Sequence, residues 1–66
     1  LVHYINQTRV AAAKVLLLDT NASITAIAEQ VGYNDSKYFI RVFRQFEGVT
    51  PLMYRNAYYH KYINIE

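Results

Sequence analysis

Cysteine and tryptophan are absent from this sequence, proline occurs once and glycine only twice. Without cysteine, neither a disulfide framework nor a thiolate zinc site can hold a small fold together. No apolar run approaches the ~18 residues that a membrane span requires. The opening Leu1-Val2-His3-Tyr4-Ile5 lacks the basic head, long apolar run and small-residue cleavage site of a signal peptide. It reads instead as a helix cut in its middle, the expected mark of a longer protein. Acids are also few: five Asp and Glu stand against seven Lys and Arg in 66 residues, a net charge of +2. With 53% hydrophobic and only 18% charged residues, the chain is too apolar for disorder. One domain of this size buries only about 60% of its unfolded surface. A small apolar core or a partner therefore has to stabilise it. Neither a catalytic constellation nor room for a pocket is apparent. A binding module without cofactor is expected, not an enzyme.

What is present is helical. From Leu1 to Leu18 nothing breaks a helix, and the alanines at 11–13 with the leucines at 16–18 favour one. Ile5, Ala12, Ala13, Leu16 and Leu17 are expected to form its apolar face. Asp19-Thr20-Asn21 ends it with residues that bond their own backbone. Ser23 is placed to cap a short helix carrying Ile24, Ile27, Ala28 and Val31 at i, i+3, i+4, i+7. Gly32 stops that helix where a positive φ costs least. Asn34 or Asp35 can cap the next, from about Ser36 to Phe46, which ends at Gly48. Thr50-Pro51 starts the last helix, with Thr as cap and Pro in the first turn. It carries Leu52, Tyr54, Arg55 and Tyr58 and is expected to fray from Tyr59 onward. No clean alternation supports a strand. The expected fold class is all-α with four helices.

The segment Ile24–Phe46 is the informative part. A short helix, a turn with Gly32 and a longer second helix make the helix-turn-helix arrangement, whose second helix enters the DNA major groove. Ala28 and Gly32 mark where the two helices would cross closely. With Ser36 at zero and ~100° per residue, Phe39, Val42, Phe43 and Phe46 fall between about 240° and 340°. Ser36, Lys37, Ile40, Arg41 and Arg44 fall between about 0° and 140°. One face is apolar, and the other carries all three cations of the helix. Between Lys37 and Lys61 there are five cations (Lys37, Arg41, Arg44, Arg55, Lys61) against Glu47 alone. The mild overall charge thus conceals a basic second half, an electrostatic footprint for a polyanion. Lys37 and Arg41 project together, and an arginine can bond two acceptors of a guanine in a fixed fork. Lys37 serves equally as a point charge on a phosphate. Ile40, taken as exposed, could touch a thymine methyl.

Other features have plainer explanations. Phe39, Phe43 and Phe46 suit a core better than a base-stacking platform. His3 and His60 have no Cys or carboxylate at ligand spacing, so no metal site is expected. Capping explains Ser23 and Ser36 better than nucleophilic catalysis. In the tyrosine-rich end, Tyr54 and Tyr58 can pack on the core, while Tyr59 and Tyr62 suit a tail or an interface.

The stretch Gly32-Tyr33-Asn34-Asp35, Tyr38-Phe39-Ile40-Arg41-Val42-Phe43 and Gly48-Val49-Thr50-Pro51 resembles the C-terminal part of the AraC/XylS family of bacterial transcription regulators. Arg9, Ala13, Leu16-Leu17, Thr20, Ile24, Ile27-Ala28 and Tyr54-Arg55 extend the likeness over roughly residues 4 to 55. The resemblance implies a homeodomain-like helix-turn-helix subdomain, N-terminally truncated. Residues 1–19 would be the long helix joining two such subdomains, 20–48 the second helix-turn-helix, and 49–66 the closing helix and tail. It implies that Ser36, Lys37, Ile40 and Arg41 face bases or nearby phosphates, and that Ser23 and Thr25 lie on the backbone. Arg44 is assigned to a phosphate. Tyr33 stands where phenylalanine is commoner, a change expected to matter little. Lys37 and Ile40 stand where serine and a small polar residue are usual, so base preference cannot be borrowed from another member. The family's frequent acid at Ala26 is missing.

The expected partner is double-stranded DNA, in a cytoplasmic, nucleoid-associated regulator that needs no membrane. The competing reading is a protein-interaction module, for example for RNA polymerase, with little DNA affinity of its own. Val10, Val15, Leu17 and Leu18 lie off the expected apolar face of the first helix. Exposed together they would form a patch that invites a dimer or a swapped oligomer.

Overall fold

Three of the four helices begin where a hydroxyl or carboxylate accepts a backbone N–H, and the chain's two glycines close the turns between them. The computed structural model describes the backbone of residues 1–63 and the side chains of residues 1–58. The helices are α1 (Val2–Asp19), α2 (Ile24–Gln30), α3 (Ser36–Glu47) and α4 (Pro51–Ile63). Ser23 Oγ accepts from Ala26 N at 3.0 Å, Asp35 Oδ1 from Lys37 N at 2.9 Å, and Thr50 Oγ1 from Met53 N at 3.2 Å. Each satisfies a donor that the first helical turn leaves without an intrahelical partner. Of the two capping candidates before α3, Asp35 does the work.

Gly48 takes φ +82° and donates to Arg44 O at 2.8 Å, closing α3 in the left-handed conformation that glycine adopts without strain. Gly32 adopts φ +106°. A Cβ there would lie 3.1 Å from Arg9 Cζ, so the close neighbour is the guanidinium of α1. Ala28 is fully buried, while Gly32, expected to ease the crossing of α2 and α3, makes room for the Arg9 side chain of α1.

α1 packs against all three other helices. The core consists of Val10, Ala13 and Leu17 from α1, Ile27 and Ala28 from α2, Tyr33 from the turn, and Phe39, Val42 and Phe43 from α3. Leu16, Ile24, Val31, Ile40, Phe46 and Tyr54 pack around it half-buried. Aromatic rings run through the middle: Tyr33 to Phe39 at 5.5 Å, Phe39 to Phe43 at 5.9 Å, and Phe43 to Tyr54 at 5.6 Å between centroids. The last two pairs meet edge to face, a favoured arrangement for aromatic quadrupoles.

The rotation of α1 differs from the sequence expectation. Ala13 and Leu17 are buried as expected, but Ile5 and Ala12 are exposed and Val10 lies in the core. The buried stripe Val10-Ala13-Leu17 is turned by roughly 70° from the expected one. Alanines and leucines cover so much of this helix that local pattern permits either rotation, and three converging helices select one. The patch expected from Val10, Val15, Leu17 and Leu18 consequently does not exist. Two of its members are core and Leu18 is half-buried, leaving Val15 as the exposed one. Association through that patch loses its basis.

At the other end, α4 continues as helix to Ile63, through the segment expected to fray. No glycine or proline follows Pro51 to interrupt it. The side chains of Tyr59, His60, Lys61 and Tyr62 lie outside the described residues.

Candidate nucleic-acid interface

The first turn of α3 is fixed before any ligand arrives. Asp35 caps it, and the fully buried Phe39 and Phe43 anchor the helix by its apolar face. The opposite face then has no freedom to rotate inward. Lys37, Tyr38, Arg41, Arg44 and Gln45 are its exposed side chains. On the helical wheel they span about 80° to 200°. Ser36 and Ile40, at about 0° and 40°, are half-buried, and Ile40 packs against the core. The structure thus brings Lys37, Arg41 and Arg44 together as expected. It turns Ser36 and Ile40 partly away, because α1, α2 and α4 enclose more of α3 than its phenylalanines alone mark out. Tyr38 and Gln45 replace them on the exposed face. Neither is charged, so a search for cations passes over both.

Ser23 and Thr25 are exposed at the start of α2. Ser23 Oγ is already engaged as the cap, although a hydroxyl that accepts from Ala26 N still has its proton to donate. The cap survives without the family's acid at position 26.

The charge pattern is simpler than the sequence suggests. Glu47 is drawn to Lys14 of α1, 3.4 Å away, so the three cations of α3 have no acidic partner among the described residues. Arg55 does not belong to the basic surface. Its Nε donates to Leu17 O at 2.9 Å and its Nη2 to Thr20 O at 3.2 Å. It is a cap on the C-terminus of α1, where a cation is favoured by the helix dipole. Lys61 lies outside the described side chains. The polyanion footprint among the described residues is therefore the face of α3.

Tyr33, expected to behave as a phenylalanine, does more. Its hydroxyl donates to Asn6 Oδ1 at 2.7 Å, and the Arg9 guanidinium lies 5.1 Å from its ring centroid. The turn before α3 is thereby tied to the first two turns of α1. Neither Asn6 nor Arg9 could be linked to it from spacing, since they lie more than twenty residues away along the chain. Burial pushes the Tyr33 hydroxyl above its ordinary pKa of 10.0, with the Arg9 charge opposing the rise. A pKa raised in the folded state means that stability is full below about pH 10 and declines as pH rises through the folded value. Tyr33→Phe should cost about 1 kcal/mol in urea unfolding at neutral pH. It should also remove the alkaline decline attributable to this hydroxyl; unchanged stability at both pH values would deny the bond any weight.

Among the described residues no three His, Cys, Asp or Glu cluster as metal ligands, and His3 stacks 5.0 Å from the Phe46 ring. No helix among them is long and apolar enough to cross a membrane.

A short capped helix, a glycine turn and a second helix with an exposed basic face define a helix-turn-helix domain of the kind that binds DNA. The helix-turn-helix domain family of AraC type matches residues 1–57. This chain belongs to the AraC family of transcription regulators. It is 46% identical over 52 residues to the HTH-type transcriptional regulator YisR of Bacillus subtilis, covering 79% of this chain and 18% of that protein. It is 47% identical over 55 residues to the bifunctional transcriptional activator/DNA repair enzyme AdaA of the same organism, covering 83% of this chain and 26% of AdaA. The HTH-type transcriptional activator RhaR of Yersinia pseudotuberculosis is 41% identical over 56 residues, 85% of this chain and 19% of RhaR. Among solved structures, the C-terminal domain of the two-component response regulator yesN from Fusobacterium nucleatum superposes with a TM-score of 0.77 at 46% identity. That match covers 79% of this chain and 50% of the other. The chain spans about a fifth to a quarter of the length of these curated relatives. DNA binding in transcription regulation is the function of such a domain.

Proposed function

We propose that α3 lies in a DNA major groove and reads sequence there. The observation that carries this reading is the exposed face with Lys37, Arg41 and Arg44, held rigid by Asp35 and the buried phenylalanines and free of acidic partners among the described residues. Arg41 takes the fork to a guanine edge, with Lys37 and Ser36 beside it at the N-terminal end. Ile40 offers the part of its side chain that is not packed to a thymine methyl. Arg44 neutralises a phosphate, and the hydroxyls of Ser23 and Thr25 meet the backbone at the start of α2. In this reading residues 1–19 are the joining helix, 20–48 the second helix-turn-helix of a two-part reader, and 49–66 its closing helix and tail. Such a regulator works in the bacterial cytoplasm, on the nucleoid.

Binding to a duplex enriched from a random-sequence pool, compared with random duplex, tests the assignment. Arg41→Ala should cost about 1–3 kcal/mol on the enriched duplex and relax preference at one position. Lys37→Ala should reduce the slope of log K against log salt by about one, weakening both duplexes if the ammonium bonds a phosphate and chiefly the enriched duplex if it bonds a base. Equal losses on both duplexes for Arg41→Ala would contradict base reading. A complex insensitive to salt, or no binding to either duplex at low salt, would transfer the basic face to an acidic protein partner such as RNA polymerase.

A further inference from the structure

Tyr38 is the exposed aromatic side chain of α3, at 42% accessibility. The back of its ring meets the Tyr33 ring edge-on, with centroids 5.8 Å apart and planes at 60°. Tyr33 is in turn only 3% exposed, bonded to Asn6 and overlaid by Arg9. The ring of Tyr38 therefore rests on a neighbour that is itself immobilised from two sides. Its hydroxyl makes no hydrogen bond among the described residues, although every polar side-chain atom buried among them has a partner. Tyr38 and Gln45, at about 200° and 180° on the wheel, form one edge of the exposed face, whose middle is Arg41 at about 140°.

A helix seated in a groove presents its middle to the base edges and its flanks to the sugar–phosphate walls, where tyrosine hydroxyls are among the usual donors. Stacking on a base would require unpairing the duplex, and the Tyr33 ring already occupies part of the surface of Tyr38. A phosphate requires only the hydroxyl. We propose that the Tyr38 hydroxyl donates a hydrogen bond to a backbone phosphate at the rim of the groove, with Tyr33 fixing the ring from behind. Tyr38 is then a DNA-contacting residue that sets how deeply the basic face sits without reading sequence. The assignment rests on α3 being the groove helix.

Tyr38→Phe tests it, because the substitution keeps the ring and its packing on Tyr33 and deletes only the donor. Affinity should fall about three- to tenfold, by the same factor on the enriched and the random duplex. The dependence on salt should keep the wild-type slope, because a neutral hydroxyl releases no counterion. Wild-type affinity of Tyr38→Phe for both duplexes would overturn the proposal, as would a loss confined to the enriched duplex, which would make it a base contact. Lys37→Ala measured alongside separates the two levels. If it lowers the salt slope while Tyr38→Phe changes nothing, the Tyr38 contact alone falls. If it leaves affinity and slope untouched, the placement of α3 in the groove falls and the Tyr38 contact with it.

Discussion

Phe43→Ala should bring the protein to the edge of unfolding. Phe43 is fully buried and stands between Phe39 at 5.9 Å and Tyr54 at 5.6 Å, joining the middle of α3 to α4. Truncating a buried phenylalanine costs about 3–5 kcal/mol, through lost transfer energy and the cavity left behind. A chain of this length has a total stability of only about 3–10 kcal/mol at typical values per residue. The core, of nine buried residues, is too thin to absorb the loss by repacking. Thermal unfolding followed by circular dichroism should show the cooperative transition moved far down or gone. Phe43→Leu, which retains most of the volume, should keep a transition at intermediate temperature. A transition for Phe43→Ala within a few degrees of wild type would mean that this aromatic column does not hold the fold.

Arg55→Met should destabilise by about 2–3 kcal/mol, the scale of hydrogen bonds from a charged donor to carbonyl groups. Methionine keeps the apolar stem and removes the bonds to Leu17 O and Thr20 O, freeing the end of α1 from α4. Arg55→Lys should recover little. One ammonium is a point charge, and the two carbonyls are reached here by two separate nitrogens of a planar fork. The same variant decides where the positive charge acts. Since Arg55 faces the protein, the salt slope of DNA binding should match wild type for Arg55→Met while falling for Lys37→Ala. A parallel fall would put Arg55 back on the DNA surface.

These two residues show what kinds of feature can be read from the chain alone. Phe43 as core was legible because the 3.6-residue period separates the phenylalanines of α3 from its cations within one helix. The caps at Ser23 and Thr50, a cap at Asn34 or Asp35, the positive φ at Gly32 and the end of α3 at Gly48 were legible for the same reason: each involves residues a few positions apart. Arg55 was not. It looks like one more cation of a basic segment until α4 lies against α1, 38 residues earlier in the chain. The Tyr33–Asn6 bond, across 27 residues, was equally hidden. A tyrosine at a position that phenylalanine can fill gives no local sign that its hydroxyl has a partner.

The candidate site divides along the same line. That α3 has a basic side follows from its sequence, with Lys37, Arg41 and Arg44 on it. Which neighbours share that side was settled by how far the other helices wrap around α3. They cover part of Ser36 and of Ile40 and leave Tyr38 and Gln45 outside. The rotation of α1 was settled in the same way, with Val10 inward and Ile5 and Ala12 outward. The sequence by itself determined the helices, their ends and the existence of a basic face, since bonding and periodicity within a turn or two suffice for these. Only the tertiary structure decided the rotation of each helix and which cations are spent inside the protein. Burial and long-range hydrogen bonds depend on surfaces that meet only once the chain has folded.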